Sequence, residues 1–265
     1  MYKPLPFFIG LRYTRSRKKN HFVSFISLSS MLGIGLGVMV LVTVLSVMNG
    51  FDEEIHQRFF GMAPEITVSG LNEKLGDWQE VVKKVKTIPQ IKAAAPFVGG
   101  QGLMTHEGQV LPIILTGILP ETEESVTHLN EKLLAGSVAD LEHFGIILGK
   151  GLADSLGLMM GDMVTIMIPQ ASVTPAGMIP RFKRFKVAGV FSAGTGFNFD
   201  TKMAFIHMGD AQKLLQLGTD VSGIKMKIND VYQAPELSDR VAKLLGEDYQ
   251  VGNWTQQFGA FFQAV

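Results

Sequence analysis

Six histidines, at positions 21, 56, 106, 128, 143 and 207, are the side chains best suited to metal or acid–base chemistry in this 265-residue chain. A protein-held zinc needs ligands at short, fixed spacings on one helix or hairpin. These six are scattered, with no such spacing among them. There is no cysteine, which excludes a disulfide framework and any thiolate-ligated zinc or iron–sulfur centre. The stretch Gly145-Ile-Ile-Leu-Gly149-Lys150-Gly151 is one residue short of a phosphate-binding loop and lacks the hydroxyl that would reach magnesium. Its residues predict a turn before a helix. No nucleophile elbow occurs, and Asn253-Trp254-Thr255 is a glycosylation sequon by pattern alone. The chain therefore reads as a non-enzyme, with no catalytic residue, no metal site and no cofactor of its own.

One segment has the chemistry of docking. Between a strand ending at Ile168 and another resuming near Arg184 lie three prolines, Pro169, Pro175 and Pro180, with Gly177 among them. Proline stiffens a protruding hairpin, so little freedom is lost on binding. Val173, Met178 and Ile179 are apolar where solvent is expected, Thr174 precedes the central proline, and Arg181, Lys183 and Arg184 stand at the base. Apolar side chains on a stiff tip, with cations behind them, suit an acidic protein partner.

The positioning elements follow from the charge distribution. The chain balances 24 basic against 24 acidic residues, and 18% of it is charged against 46% hydrophobic. Neutrality argues against a nucleic-acid binder, and the hydrophobic content argues against disorder. The balance conceals a segregation. Residues 1–21 carry six basic residues and no acid, residues 22–51 carry no charge, and the rest is net −6. Thirty uncharged residues exceed what a bilayer-spanning helix needs, and they are too long for the apolar core of a cleaved signal peptide. The basic flank marks the cytoplasmic side. Its interleaved Leu5, Phe7, Phe8, Ile9, Leu11 and Tyr13 predict an amphipathic segment among lipid headgroups. Within the span, Ser29, Gly33 and Gly37 recur every four residues, a spacing that lets another helix approach closely. Residues 49–60 read as a helical continuation, a stalk. The remainder alternates strand-like and helix-like segments, which predicts an α+β domain.

Several of these stretches together resemble a known family. Phe8-Ile9-Gly10-Leu11-Arg12-Tyr13, the glycines around Gly33-Ile34, and Leu45-Ser46-Val47-Met48-Asn49-Gly50-Phe51 resemble the lipoprotein-releasing permeases, LolC, LolE and the hybrid LolF. Residues 147–162 resemble the periplasmic core of the wider MacB-like permeases. Thr174-Pro175-x-Gly177-x-Ile179-Pro180 is closer to LolC and LolF than to LolE.

The resemblance implies an inner-membrane ABC transporter permease subunit, its N-terminus cytoplasmic and its main domain periplasmic. It implies that a separate LolD-like ATPase binds the ATP and magnesium, and that a LolE-like chain or a second copy completes the permease. Lipoproteins would be released from the bilayer by mechanotransmission and handed to the periplasmic chaperone LolA. Residues 169–180 match the hook that grips LolA, and Arg181, Lys183 and Arg184 fall near its supporting pad. Thr165 and the apolar Phe182 depart from the family's pad pattern. Val44, Val47, Met48 and Phe51 match the lining of the acyl-chain cavity. The family has two outer lobes, expected here as a porter-like lobe over about 52–119 and 206–265 and an inserted lobe over about 120–205. It further implies that the native chain continues past Val265 into more membrane helices. The residues themselves also admit a MacB- or FtsX-like permease acting in efflux or hydrolase control, and a single-span anchored periplasmic binding protein.

Overall fold

The computed structural model describes residues 9, 21–60, 62–70, 74–174, 177–194 and 199–256, with side chains for all of these except 21, 23, 24, 51–60 and 170–180. Most of the expected basic segment over 1–21, the expected hook residue Pro175, and residues 257–265 lie outside them. Two compact units are present, Met1–His56 and Gln57–Val265.

Helix α1 runs from His21 to Phe60. Its part Phe25–Gly50 is long and apolar enough to cross a membrane. At 1.5 Å per residue that part measures about 39 Å, against a hydrocarbon core of about 30 Å. Apolar side chains are exposed on every side of it, including Leu32, Met39 and Val47. A helix of this length that is apolar all round has lipid as its natural solvent.

The second unit is a mixed ten-stranded sheet with helices on its faces. Strands β1 (Ile66–Gly70), β9 (Gly223–Ile228) and β10 (Tyr249–Asn253) join the first part of β2 (Ile91–His106) in the order β10-β1-β9-β2. Helix α2 (Trp78–Val85) buries Val81 and Val85, and α7 (Ala234–Leu245) buries Leu237 and Val241. Each pair is spaced by four, the repeat that puts two side chains on one helix face.

Strand β2 then leaves β9 and becomes part of a ring. From Phe97 onward it pairs β3 (Gln109–Ile118), and Leu103, Met104 and Thr105 also pair β6 (Met163–Thr174). Strand β3 pairs β8 (Met203–His207) in parallel, β8 pairs β5 (Gly145–Gly149), β5 pairs β7 (Gly177–Phe191), and β7 returns to β6. The circuit β2-β3-β8-β5-β7-β6 thus closes on itself, which removes edge strands along it. Met104, Leu115, Ile166, Phe185 and Ile206 are fully buried in one core. Ile147 and Phe205, from the opposite face of β5 and β8, belong to a second core with Leu129 and Leu141. Burial on both faces explains the unbroken apolar runs of those two strands. Short β4 (Leu133–Gly136) pairs the far side of β7. Helices α3 (Pro120–Thr127), α4 (Lys150–Leu156), α5 (Phe199–Lys202) and α6 (Met208–Leu215) complete the unit. The expected lobe limits near 120 and 205 fall at the start of α3 and inside β8.

The glycines of the Gly149-Lys150-Gly151 turn have a packing role. A Cβ at Gly149 would lie 2.3 Å from the Asp200 carbonyl oxygen, and one at Gly151 would lie 2.7 Å from Thr201 Cγ2. The start of α4 is pressed against α5. Gly149→Ala is expected to lower stability by about 1–3 kcal/mol through overpacking, read as a lower unfolding midpoint of the full chain in detergent.

Candidate functional site

Strands β6 and β7 form a long ribbon, and the proline-containing segment 169–180 is its far end. Pairing runs from Met163↔Lys186 to Ile168↔Arg181, shifts, and resumes at Ser172↔Ile179, Val173↔Met178 and Thr174↔Gly177. The sequence predicts a loop here, and the strands instead extend to within two residues of each other. Pro169, Gln170 and Ala171 oppose Pro180 alone across the shift. Such a bulge is where a ladder tolerates residues without an N–H. Beyond Ile168↔Arg181 no third strand joins the ribbon among the described residues; β2 holds β6 only at residues 165–167, and β5 holds β7 only from Lys186.

Strand alternation divides the basic residues at the base. Arg181, Lys183 and the buried Phe185 stand across from the buried Ile168, Ile166 and Val164 and share their face. Phe182 and Arg184 stand across from Met167 and Thr165 on the opposite face, where both are exposed. The three cations read as one pad in the sequence therefore occupy two faces. Lys183 places its Nζ 4.0 Å from the centre of the Phe144 ring. Thr165 and Phe182, which depart from the pad pattern, lie beside Arg184 on the exposed face.

The helix positions singled out in α1 fall on one face. At 100° per residue, Ser29, Gly33, Gly37, Val44, Val47, Met48 and Phe51 lie within an arc of about 100°. Val44, Val47 and Met48 are exposed. A Cβ added at Gly33 or Gly37 meets nothing within 4 Å.

Titratable groups elsewhere have local roles. Glu124, His128 and Glu131 bring three possible ligand atoms within 4.8 Å of one another. The Glu124 carboxylate already accepts from the Asn130 N–H at 3.0 Å, and His128 ends α3 in the left-handed conformation. The group closes the helix terminus. Lys132 is different. Its Nζ is buried without a hydrogen-bond partner among the described residues. Burial, helped by the charge of Lys227, pulls the ammonium down to about 8. An unfolded lysine keeps its proton to about pH 10.4, so between these values the unfolded chain binds more protons and stability rises with pH. Lys132→Met is expected to raise the unfolding midpoint at pH 7 and to flatten its rise between pH 8 and 10.

Phe144 and Asp210 were not legible as site residues. They lie 66 positions apart, and no local pattern links them. The Asp210 carboxylate accepts from the Phe144 N–H at 3.2 Å.

Residues 27–244 match the family described as the MacB-like periplasmic core domain. The chain is 39% identical over 267 residues to the lipoprotein-releasing system transmembrane protein LolC of Xylella fastidiosa (strain 9a5c), covering 100% of this chain and 64% of that protein. It is 39% identical over 263 residues to LolC of Neisseria meningitidis serogroup B (strain ATCC BAA-335 / MC58), covering 97% and 62%. The periplasmic region of MacB from Actinobacillus actinomycetemcomitans aligns with a TM-score of 0.48 at 13% identity, covering 80% of this chain and 99% of that one. The chain spans less than two thirds of the length of these two LolC relatives.

Proposed function

The chain belongs to the MacB-like periplasmic core domain family, and from that premise we propose that it is the membrane-anchored, partner-docking part of a lipoprotein-releasing ABC permease. Its relatives in Xylella and Neisseria carry the name LolC. In this reading the N-terminus is cytoplasmic, α1 crosses the inner membrane and the second unit is periplasmic. A LolD-like ATPase supplies the energy from the cytoplasm, and a second permease subunit, a LolE-like chain or another copy, completes the transporter. The lipoprotein's acyl chains meet the α1 face that carries Val44, Val47, Met48 and Phe51. Methionine suits that role because its flexible thioether adapts to irregular apolar partners. Gly33 and Gly37, on the same face, admit a neighbouring helix closely.

The hook is the β6–β7 tip, and its partner is the chaperone LolA. The observation that carries this is that, among the described residues, no third strand pairs the ribbon beyond Ile168↔Arg181. A two-stranded ribbon is marginal in water by itself, so bulged prolines and a partner surface are natural companions for it. The reading is tested with the full chain in lipid nanodiscs and purified LolA. Saturable binding is expected for wild type, and none for a chain in which residues 170–179 are replaced by a short Gly-Ser turn. Equal binding by the two would overturn the hook assignment, and no binding by either would overturn the chaperone.

A further inference from the structure

We propose that Phe144, held by Asp210, is a positioning residue that clamps the root of the β6–β7 ribbon and sets the direction in which its tip points. The functional consequence rests on the docking role proposed above, and the clamp itself rests on geometry.

Strand β7 loses its β5 neighbour at Lys186, whose partner is Gly145, the first residue of β5. Phe144 immediately precedes that strand, and it takes over from it with three contacts to successive parts of β7. Its carbonyl accepts from the Lys186 N–H at 2.9 Å. Its ring meets Phe185 edge-on, with centroids 5.7 Å apart at 70°. The same ring lies under the Lys183 ammonium at 4.0 Å. A side chain thus continues the support that strand pairing gives up, one step before the ribbon goes on alone.

Reaching this place requires an unusual backbone. Phe144 has φ +65°, a left-handed conformation that bulky residues rarely adopt and that surrounding contacts must hold. Asp210, a buried residue on α6, supplies the hold. One carboxylate oxygen accepts from the Phe144 N–H at 3.2 Å, and the other lies 3.3 Å from Lys213 Nζ. Lys213 in turn sits 5.6 Å from the centre of the Phe144 ring. The assembly links α6, the turn before β5 and the ribbon root. Its ring is attractive to both cations through its negative face. Lys183 is committed to it, so Lys183 serves the ribbon's orientation, while Arg184, on the other face, is exposed to a partner.

The test uses the full chain in nanodiscs and reads amide hydrogen exchange across residues 177–185 together with chaperone affinity. Phe144→Leu keeps the bulk and loses the ring. It should speed exchange in that window and weaken binding, each by roughly tenfold, the worth of an edge-on aromatic pair and a cation–π contact. Exchange in β1 and β9 should stay unchanged, and Phe144→Trp should restore both readouts. Exchange at wild-type rates in the Leu variant would overturn the clamp. If that variant loosens every strand alike, Lys183→Met decides, because it removes only the exposed charge from the ring: faster exchange confined to the window supports the clamp, and no change overturns it. Exchange is read without chaperone. Local loosening in a chain whose wild type binds no chaperone would therefore uphold the clamp and sink the docking reading.

Discussion

Under the proposed docking role, Met178→Asp is expected to abolish chaperone capture by the full chain while leaving its unfolding midpoint where it was. Position 178 pairs with Val173, one step from the last paired residues of the ribbon, and among the described residues the ribbon there has no strand on either side to disturb. Burying a methionine side chain against a partner contributes roughly 1.5–3 kcal/mol. Bringing a carboxylate into that contact adds the penalty of an unpaired charge leaving water, several kcal/mol more. Together these exceed a 100-fold loss of affinity. Stability should stay within about 0.5 kcal/mol, as for an ordinary surface substitution. Titration of nanodisc-held wild type and variant with the same chaperone measures the first quantity, and thermal unfolding measures the second. An affinity loss under tenfold would remove the tip from the contact. A large fall in unfolding midpoint would mean that Met178 belongs to the core.

The ribbon also marks how far the sequence could be read. Three prolines in twelve residues argue against a sheet ladder, and the stretch accordingly reads as a loop. The register shift after Ile168 frees Pro169 and Pro180 from pairing duty, and the ladder resumes for three more pairs. A bulge depends on the partner strand, so no window of one strand reveals it. The division of the basic residues was within reach, since alternation alone separates Arg181 and Lys183 from Arg184 once the strand is known to start at Gly177. The membrane helix was legible because it needs no tertiary partner: a run of 30 uncharged residues states its own solvent. The closed ring was not, because β2 meets β6 and β3 meets β8 across 60 to 90 residues of chain. The same distance hides Asp210 from Phe144.

Lys225→Met is expected to destabilise the second unit by about 3–5 kcal/mol, the usual result of stranding one member of a buried ion pair. Lys225, on β9 between β1 and β2, puts its Nζ 2.6 Å from Glu123 Oε1, and Thr127 Oγ1 donates to the same oxygen at 2.8 Å. The two charged side chains are 7% and 0% exposed. Glu123 Oε2 has no hydrogen-bond partner among the described residues. The pair fastens α3 to the sheet beside Ala93, Ala95 and Val126, a cluster too small to hold the helix by apolar burial alone. With Lys225 gone, Glu123 keeps one donor for a carboxylate enclosed on all sides. Methionine fills the lysine's stem volume, so the loss reflects the missing charge and not a cavity. Replacing both residues, Glu123→Leu with Lys225→Met, removes the stranded charge as well and should recover most of the stability, since apolar substitutes for buried pairs are often neutral or better. Denaturant unfolding of the two variants and wild type decides it. A single variant costing under 1 kcal/mol would show the pair to be solvated in solution. A double variant no more stable than the single would show that the geometry of α3, and not charge compensation, depends on Lys225.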